Sequence, residues 1–308
     1  MILVDSLKID KVKSSILSAK ATWTASENKF TRMSATTRSL LLGYVPGPQD
    51  LSLEEAENVA KANFAAFVKK RAVTVTYPVS CDLRNMNGKH YITSIKNQGI
   101  CLSCVAFGTI ATVEGAARKL LENPFLDIDL SEAHLFFCYG KTEGTSCFHG
   151  WRPEPALDFL CAKGVVDESC YPYNLIHQNG SNLCADWQNR LTKITGWQTL
   201  SSMDEMKSWI STKGPLVATY TVYLDFLFYR SGIYKHVVGT SLGGHCVSCV
   251  GYDDGEGYWI CKNSWGPLFG EDGFFKIAYG ECGIDAKMWA IKGIQQKVQN
   301  SIMRERSR

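Results

Sequence analysis

The 308-residue sequence lacks several features that would narrow its function at once. No apolar run approaches the roughly 20 residues that a membrane helix needs, so a membrane protein is not expected. The net charge of +3 is small and the basic residues are scattered, which argues against a nucleic-acid partner. The sequence also has no internal repeat and no low-complexity segment. These absences favour an ordinary globular protein with a substantial core.

Cysteine is absent from residues 1–75, whereas all twelve cysteines lie between Cys81 and Cys282. So many cysteines suggest an oxidising compartment, such as a secreted or lysosome- or vacuole-like location. The first 20 residues lack the apolar core of about 7–15 residues that a standard signal peptide has, so the localisation stays open. The uneven distribution predicts two parts with different roles.

The order of helical and strand patterns predicts an α+β fold. Ser52 is the predicted N-cap of an amphipathic helix, with Glu55 at its capping-box position. Further helices are predicted at residues 105–121, 131–138, 153–164 and 201–214. Strands are predicted at residues 216–223, 245–254, 257–265 and 273–280. Helices precede strands, which indicates a helical half and an antiparallel sheet half.

Two pairs of cysteines with C-x2-C spacing have the spacing of a zinc site but not its context. Cys104 starts the apolar helix, and Cys101 lies just before it. Cys246 and Cys249 lie within a predicted strand, where residues three apart point to opposite faces and cannot share one ion unless the strand bulges. No metal site is therefore predicted.

Four residues are compatible with nucleophilic catalysis by a thiol. Cys104 begins a helix, and the N-terminus of a helix favours the thiolate. His245 is the candidate base, and a hairpin turn at residues 253–257 would bring Asn263 beside it as the orienting group. Gln98 precedes Cys104 by six residues and is a candidate donor to an oxyanion. Each residue alone has a purely structural explanation, so the prediction depends on all four in this order.

Four ordered motifs, QGICLSCVAF, GGHCVSCVGY, YWICKNSWG and FGEDGFF, resemble those of the papain-like cysteine peptidases over about residues 77–290. The resemblance implies a two-lobed fold, with a helical left domain, an antiparallel β-barrel-like right domain and the active-site cleft between them. It implies that Cys104 is the nucleophile, His245 the general base, Asn263 the orienting residue and Gln98 the oxyanion donor. It implies no cofactor, a peptide or protein substrate, and a monomer.

The same resemblance implies five residues of the cleft. Trp265 matches a tryptophan that covers the Asn–His contact, and Gly150 matches a glycine whose backbone pairs with an extended substrate. Trp151 belongs to a predicted pocket wall, and Leu102 replaces a glycine, which is expected to narrow the cleft. Lys287 matches the floor of that pocket. It is expected either to favour an acidic or polar substrate side chain or to point to solvent.

Two disulfides, Cys101–Cys147 and Cys138–Cys184, are implied by the resemblance. Cys161 and Cys170 lie nine residues apart around a turn and are a candidate third pair. Five other cysteines have no obvious partner and are expected to be buried thiols: Cys81, Cys246, Cys249, Cys261 and Cys282.

Residues 23–48 are similar to the short propeptide of cathepsin B-type relatives. This implies a zymogen in which residues 1–75 lie along the cleft in reversed direction, as the protein's own inhibitor. Residues 76–295 would form the catalytic domain and residues 296–308 a basic tail. The alternative is a permanent N-terminal extension. The basic run at residues 69–71 is either a processing site or a solvated helix end.

The sequence therefore predicts a cysteine endopeptidase made as a zymogen. The paired-histidine insertion of cathepsin B-type enzymes has no counterpart, which favours endopeptidase action over removal of C-terminal dipeptides. One alternative passes the thioester to an amine, as an acyltransferase, a ligase or a small-amide hydrolase in a biosynthetic pathway. A second alternative is a non-catalytic peptide-binding homologue.

Overall fold

The computed structural model describes residues 7–70, 77–175 and 182–296. Six α-helices lie in these residues: α1 Ile9–Ser18, α2 Ala35–Ser39, α3 Leu53–Lys70, α4 Cys104–Leu120, α5 Pro153–Ala162 and α6 Met203–Thr212. A π-helical turn spans His134–Tyr139, and short 3-10 turns span Gly140–Glu143, Trp187–Asn189 and Leu224–Phe228. None of the helices in these ranges is long and apolar enough to cross a membrane.

Ten strands lie in the same residues: β1 Thr24–Ala25, β2 Ser80–Asp82, β3 Thr192–Leu200, β4 Leu216–Tyr223, β5 Tyr229–Ser231, β6 Ile233–Tyr234, β7 Ser241–Asp253, β8 Tyr258–Lys262, β9 Phe274–Ala278 and β10 Met288–Gln296. Seven of them pair in the order β3-β10-β4-β7-β8-β9-β6, and β2 pairs with β7. The described strands thus follow an open path and not a closed barrel. Among the pairs of strands named above, only β6–β9 is parallel.

The predicted helix caps follow from local side-chain chemistry. Ser52 Oγ accepts a hydrogen bond from the Glu55 amide, and the Glu55 carboxylate accepts one from the Ser52 amide. The same reciprocal box starts α6, between Ser202 and Glu205. Residues 131–138 are helical as predicted, although most of this stretch is the π-helical turn.

The core is divided between two lobes, and the long strand β7 contributes to both. The helical lobe packs around α4 and α5, and the sheet lobe packs around β4 and β7–β9. Cys246 packs in the helical lobe and Cys249 in the sheet lobe, so their side chains point to opposite faces of β7 as predicted. The predicted two-lobed α+β fold is therefore confirmed.

The disulfide pattern agrees with one predicted pair and corrects another. Cys101 is bonded to Cys147, as the resemblance implied. Cys184 is bonded to Cys170 and not to Cys138, because a hydrogen bond from the Cys184 amide to the Cys170 carbonyl holds these two segments of the backbone together. The predicted Cys138–Cys184 bond is therefore wrong, and so is the candidate pair of Cys170 with Cys161, which is a free thiol.

Candidate active site

The first residue of helix α4 supplies the candidate nucleophile. Cys104 follows Ser103, the N-cap residue, and its side chain is fully buried at the junction of the two lobes. Every residue from Cys104 to Ala117 is buried, so packing on all sides fixes the direction of the helix. The thiol therefore lies at the helix end whose free N–H groups favour negative charge.

A β-hairpin supplies the candidate base and its orienting group. His245 lies on β7 opposite Tyr220 of β4, and Asn263 directly follows β8. The turn that joins β7 to β8 is held by Asp253, whose carboxylate accepts from the Gly255 amide. The hairpin predicted from residues 253–257 therefore forms and brings the two side chains together.

The ring of His245 is held at one nitrogen and open at the other. Nε2 donates to Asn263 Oδ1 across 2.8 Å. Nδ1 is buried and has no hydrogen-bond partner among the described residues. The indole of Trp265, fully buried, lies 4.9 Å from the imidazole ring, centroid to centroid. The Asn–His contact is thus shielded from water, and Nδ1 is the nitrogen that remains free to accept a proton.

Gln98 connects both lobes to the N-terminal part of the chain. Its Oε1 accepts from Ser264 Oγ across 2.6 Å, which fixes the amide plane. Its Nε2 donates to the Cys101 carbonyl at 2.9 Å and to the Leu41 carbonyl at 3.1 Å. The predicted oxyanion donor therefore already binds a peptide carbonyl in this structure.

Residues 41–45, here called the cleft segment, occupy the space beside the thiol. The Gly43 amide donates to Cys104 Sγ across 3.1 Å. The Trp151 amide donates to the Gly43 carbonyl at 2.7 Å, and the Val45 amide donates to the Trp151 carbonyl at 2.9 Å. The cleft segment thus runs parallel to the chain at Trp151, whereas it runs antiparallel to β7 at Gly244.

Two glycines make this close approach of backbones feasible. A Cβ on Gly43 would lie 2.1 Å from the Leu102 carbonyl oxygen. A Cβ on Gly150 would lie 2.3 Å from the Gly43 carbonyl oxygen. Both distances are far too short for real atoms, so only glycine fits at either position. The backbone of Leu102 is thus the group against which Gly43 of the cleft segment packs.

Burial perturbs both predicted proton-transfer groups. It raises the pKa of Cys104 to about 12, although backbone N–H groups, that of Gly43 among them, oppose the effect. Burial also lowers the pKa of His245 to about 4, although the hydrogen bond to Asn263 opposes it. The neutral thiol and the neutral imidazole are therefore the favoured pair while the cleft segment is in place.

Aromatic residues anchor the N-terminal part on the sheet lobe, and the sequence did not identify them. Phe30 packs on Trp265 and on Phe269, with ring centroids 5.3 and 5.7 Å apart. Trp23 packs 5.2 Å from Tyr234, and the adjoining strand β1 pairs with β5. Buried aromatic side chains in a cysteine-free segment are the signal that would have indicated tight docking.

The other predicted cleft residues are placed as follows. The ring of Trp151 is buried in the helical lobe and its Nε1 donates to Glu143, so only its backbone faces the cleft segment. Lys287 does not point freely to solvent, because its Nζ lies 2.7 Å from Asp50 Oδ1 and 3.2 Å from Glu154 Oε1. No group of His, Cys, Asp or Glu in the described ranges is arranged to hold a metal ion.

A helix-borne thiol that reaches the backbone of Cys246, next to an imidazole held by an amide, defines the class of cysteine peptidases. The sequence profile of the papain family cysteine proteases matches residues 77–291, and the chain belongs to this family. It is 36% identical over 242 residues to cathepsin B-like CP3 of Giardia intestinalis, and the aligned region covers 72% of this chain and 77% of that protein. It is 36% identical over 202 residues to a cathepsin L-like proteinase of Fasciola hepatica, and the aligned region covers 63% of this chain and 60% of that protein.

Solved structures extend the likeness to the N-terminal part. Procathepsin B S9 of Trypanosoma congolense matches with a TM-score of 0.74 at 23% identity, over 94% of this chain and 99% of that chain. Bromelain of Ananas comosus, solved with the inhibitor E64, matches with a TM-score of 0.58 at 32% identity, over 70% and 98%. The predicted enzyme class is confirmed, and the described N-terminal residues share the fold of a proenzyme.

Proposed function

We propose that the protein cleaves internal peptide bonds through a thioester on Cys104. The observation that carries this proposal is that the thiol and the Gln98 amide both bind one extended peptide, through the Gly43 amide and the Leu41 carbonyl. A peptide substrate would therefore find a nucleophile and a carbonyl-binding donor at adjacent positions of the cleft. No cofactor is required for this chemistry.

The geometry supports a distinct role for each group. The Cys104 proton passes to His245 Nδ1, and the thiolate attacks the substrate carbonyl. Gln98 Nε2 donates to the oxyanion that forms, as it now donates to the Leu41 carbonyl. His245 then protonates the leaving amine, while Asn263 keeps the ring in the correct tautomer and orientation. Water hydrolyses the thioester and restores the thiol.

The N-terminal part acts in this proposal as an inhibitor of the same chain. The cleft segment buries Cys104, and its contact with the sulfur is an N–H group and not a carbonyl carbon. A reversed chain direction explains why the segment is held without being cut. Residues 1–75 would be removed on activation to release residues 76–295. The proposed boundary and Arg71 of the basic run at 69–71 lie outside the described residues, as does nearly all of the basic tail at 296–308.

Neither alternative is favoured by these observations. Transfer of the thioester to an amine needs a bound acceptor, and nothing in the described residues indicates a site for one. A non-catalytic binding protein would not need the intact set of Cys104, His245, Asn263 and Gln98. Product analysis in the presence of an added amine separates hydrolysis from transfer.

Limiting iodoacetamide, followed by intact-mass measurement and peptide mapping, tests the proposal before and after acid incubation. We expect Cys104 to be labelled fast only after the N-terminal part is lost, and peptide cleavage to appear at the same time. A Cys104→Ser variant is the control, and it should neither cleave peptides nor process itself. Fast labelling in the uncut chain would contradict the inhibitory role, and labelling without peptide cleavage would contradict catalysis.

A further inference from the structure

A second free cysteine lies beside the candidate nucleophile. Cys246 directly follows His245 on β7, and its thiol is fully buried in the helical lobe, in the same core as Cys104. The backbone N–H of Cys246 donates a hydrogen bond to the sulfur of Cys104. The main chain at Cys246 is therefore in contact with the nucleophile, and its side chain points to the lobe that contains α4.

The sulfur of Cys246 packs against helix α4 one turn after Cys104. A Cβ on Gly108 would lie 2.9 Å from Cys246 Sγ, so the lack of a side chain at Gly108 makes room for this sulfur. Glycine is unfavourable inside a helix, and here it is needed for this packing. Gly108 is four residues after Cys104, so the two positions lie on the same face of the helix. Cys104 and the thiol of Cys246 thus occupy neighbouring positions along one helix face.

We propose that Cys246 is a resolving thiol, which traps the oxidised nucleophile as a Cys104–Cys246 disulfide and so makes oxidation of the enzyme reversible. The inference rests on the proposed function, because it requires the reactive Cys104 thiolate of the uncovered cleft. Hydrogen peroxide is the oxidant. Its O–O bond breaks, one oxygen joins the Cys104 thiolate as a sulfenic acid, and the other leaves as hydroxide, which takes up a proton to form water.

The second step forms the disulfide without a further oxidant. The sulfur of Cys246 attacks the sulfenic sulfur of Cys104, and the S–O bond breaks. The departing hydroxyl leaves with the proton of the Cys246 thiol as water. A dithiol such as dithiothreitol reverses the reaction by thiol–disulfide exchange. Without a neighbouring thiol, further peroxide converts the sulfenic acid into a sulfinic acid, which a dithiol does not reduce.

The different surroundings of the two sulfurs determine which is oxidised first. Burial raises the pKa of the Cys246 thiol well above its ordinary value, so this thiol stays protonated, whereas peroxide reacts with thiolates. The Cys246 thiol packs on α4, which belongs to the catalytic domain and stays in place. The sulfur of Cys104 is covered by the cleft segment and becomes accessible when that segment leaves. Peroxide therefore oxidises Cys104, and Cys246 reacts with the product.

The test uses the full chain after acid processing. The protein is treated with hydrogen peroxide, and the remaining free thiols are blocked with iodoacetamide. Peptide mapping without reduction should find Cys104 bonded to Cys246, with the loss of two hydrogen atoms relative to the untreated protein. Dithiothreitol should then restore peptide cleavage, expressed relative to an untreated sample of the same protein.

Matched variants decide whether Cys246 is responsible. After the same treatment, Cys246→Ala should carry Cys104 as a sulfinic acid, and dithiothreitol should restore about tenfold less of its activity than in the unaltered protein. Cys249→Ala is the control, because Cys249 is a buried free thiol on the same strand that packs in the sheet lobe. This control should recover like the unaltered protein.

The outcomes separate this inference from the proposed function. A Cys104 sulfinic acid or an unoxidised Cys104 in the unaltered protein, a bond from Cys104 to another cysteine, or full recovery of Cys246→Ala would overturn this inference alone. Mapping of the unaltered protein decides the question even if a variant fails to fold. A processed chain whose Cys104 is labelled by iodoacetamide but which cleaves no peptide before oxidation would instead overturn the proposed function.

Discussion

A single methyl group on Gly43 should open the cleft of the uncut protein. The added Cβ would lie 2.1 Å from the carbonyl oxygen and 2.4 Å from the carbonyl carbon of Leu102. These are backbone atoms that cannot move freely, because Leu102 follows the disulfide-bonded Cys101 and its amide donates to the Cys147 carbonyl. The cleft segment must therefore move away, which breaks the contact between Gly43 and the thiol.

The size of the effect follows from the cost of overpacking a tight contact. Inserting a methyl group into a well-packed site costs about 1–3 kcal/mol. This cost corresponds to about a fivefold to hundredfold rise in the population of the open form. Labelling of Cys104 through such openings should accelerate by the same factor.

The assay is the initial rate of Cys104 carbamidomethylation in the uncut chain, read by intact mass so that self-processed molecules are excluded. Gly255→Ala is the matched control, because its Cβ would meet only the Asp253 carboxylate, at 3.1 Å. An unchanged labelling rate in Gly43→Ala would refute the argument that this contact keeps the thiol covered. An equal rise in Gly255→Ala would show that the effect is not specific to the cleft.

Three further predictions concern pH, catalysis and the disulfides. Burial lowers the pKa of His245 to about 4, so the covered form keeps its stability above about pH 6.5 and loses it as the pH falls from about 6.5 to about 4. Hydrogen exchange of the cleft segment, corrected for intrinsic rates, should accelerate over this pH window, and a flat profile would contradict this. Gln98→Ala should lower kcat of the processed enzyme by about 100-fold with little change in KM, as loss of an oxyanion donor does, whereas Gln198→Ala on β3 should leave kcat unchanged. Cys170→Ser should lower the free energy of unfolding by about 3 kcal/mol through loss of a 14-residue disulfide loop, whereas Cys138→Ser should have little effect; equal losses in denaturant titrations would contradict the observed pairing.

Local patterns in the sequence were sufficient to predict the parts of the fold that local chemistry determines. The apolar run after Cys104 predicts α4, and the Ser52–Glu55 box predicts the start of α3. The turn chemistry at residues 253–257 predicts the hairpin that joins His245 to Asn263. These features depend on residues close in the chain, where propensity and capping decide the structure.

Long-range pairings could not be predicted in the same way. Strands β3 and β10 are nine residues long and form eight pairs, from Met288 opposite Leu200 to Gln296 opposite Thr192, although almost 90 residues separate the two strands in the chain. Neither strand was identified from its own pattern, because its partner lies so far away. The Cys170–Cys184 bond could not be predicted either, because it accompanies a hydrogen bond between the backbones of these two residues that the spacing of the cysteines does not reveal. The position of Asp50 on Lys287 depends on how the whole N-terminal part docks.

The orientation of the cleft segment connects inhibition with catalysis. The Leu41 carbonyl accepts a hydrogen bond from the Gln98 side-chain amide. The group that contacts Cys104 Sγ is the N–H of Gly43, two residues further along the chain. A hydrogen-bond donor at the sulfur offers no electrophilic carbon to attack, so the cleft segment fills the site without presenting a carbonyl carbon to the thiol. The same donor would stabilise a thiolate, but burial outweighs it and keeps the sulfur protonated. The proposed inhibition therefore needs no distortion of the catalytic groups, since removal of the covering peptide would readmit water, relieve the burial that shifts both pKa values and give a substrate carbonyl access in one step.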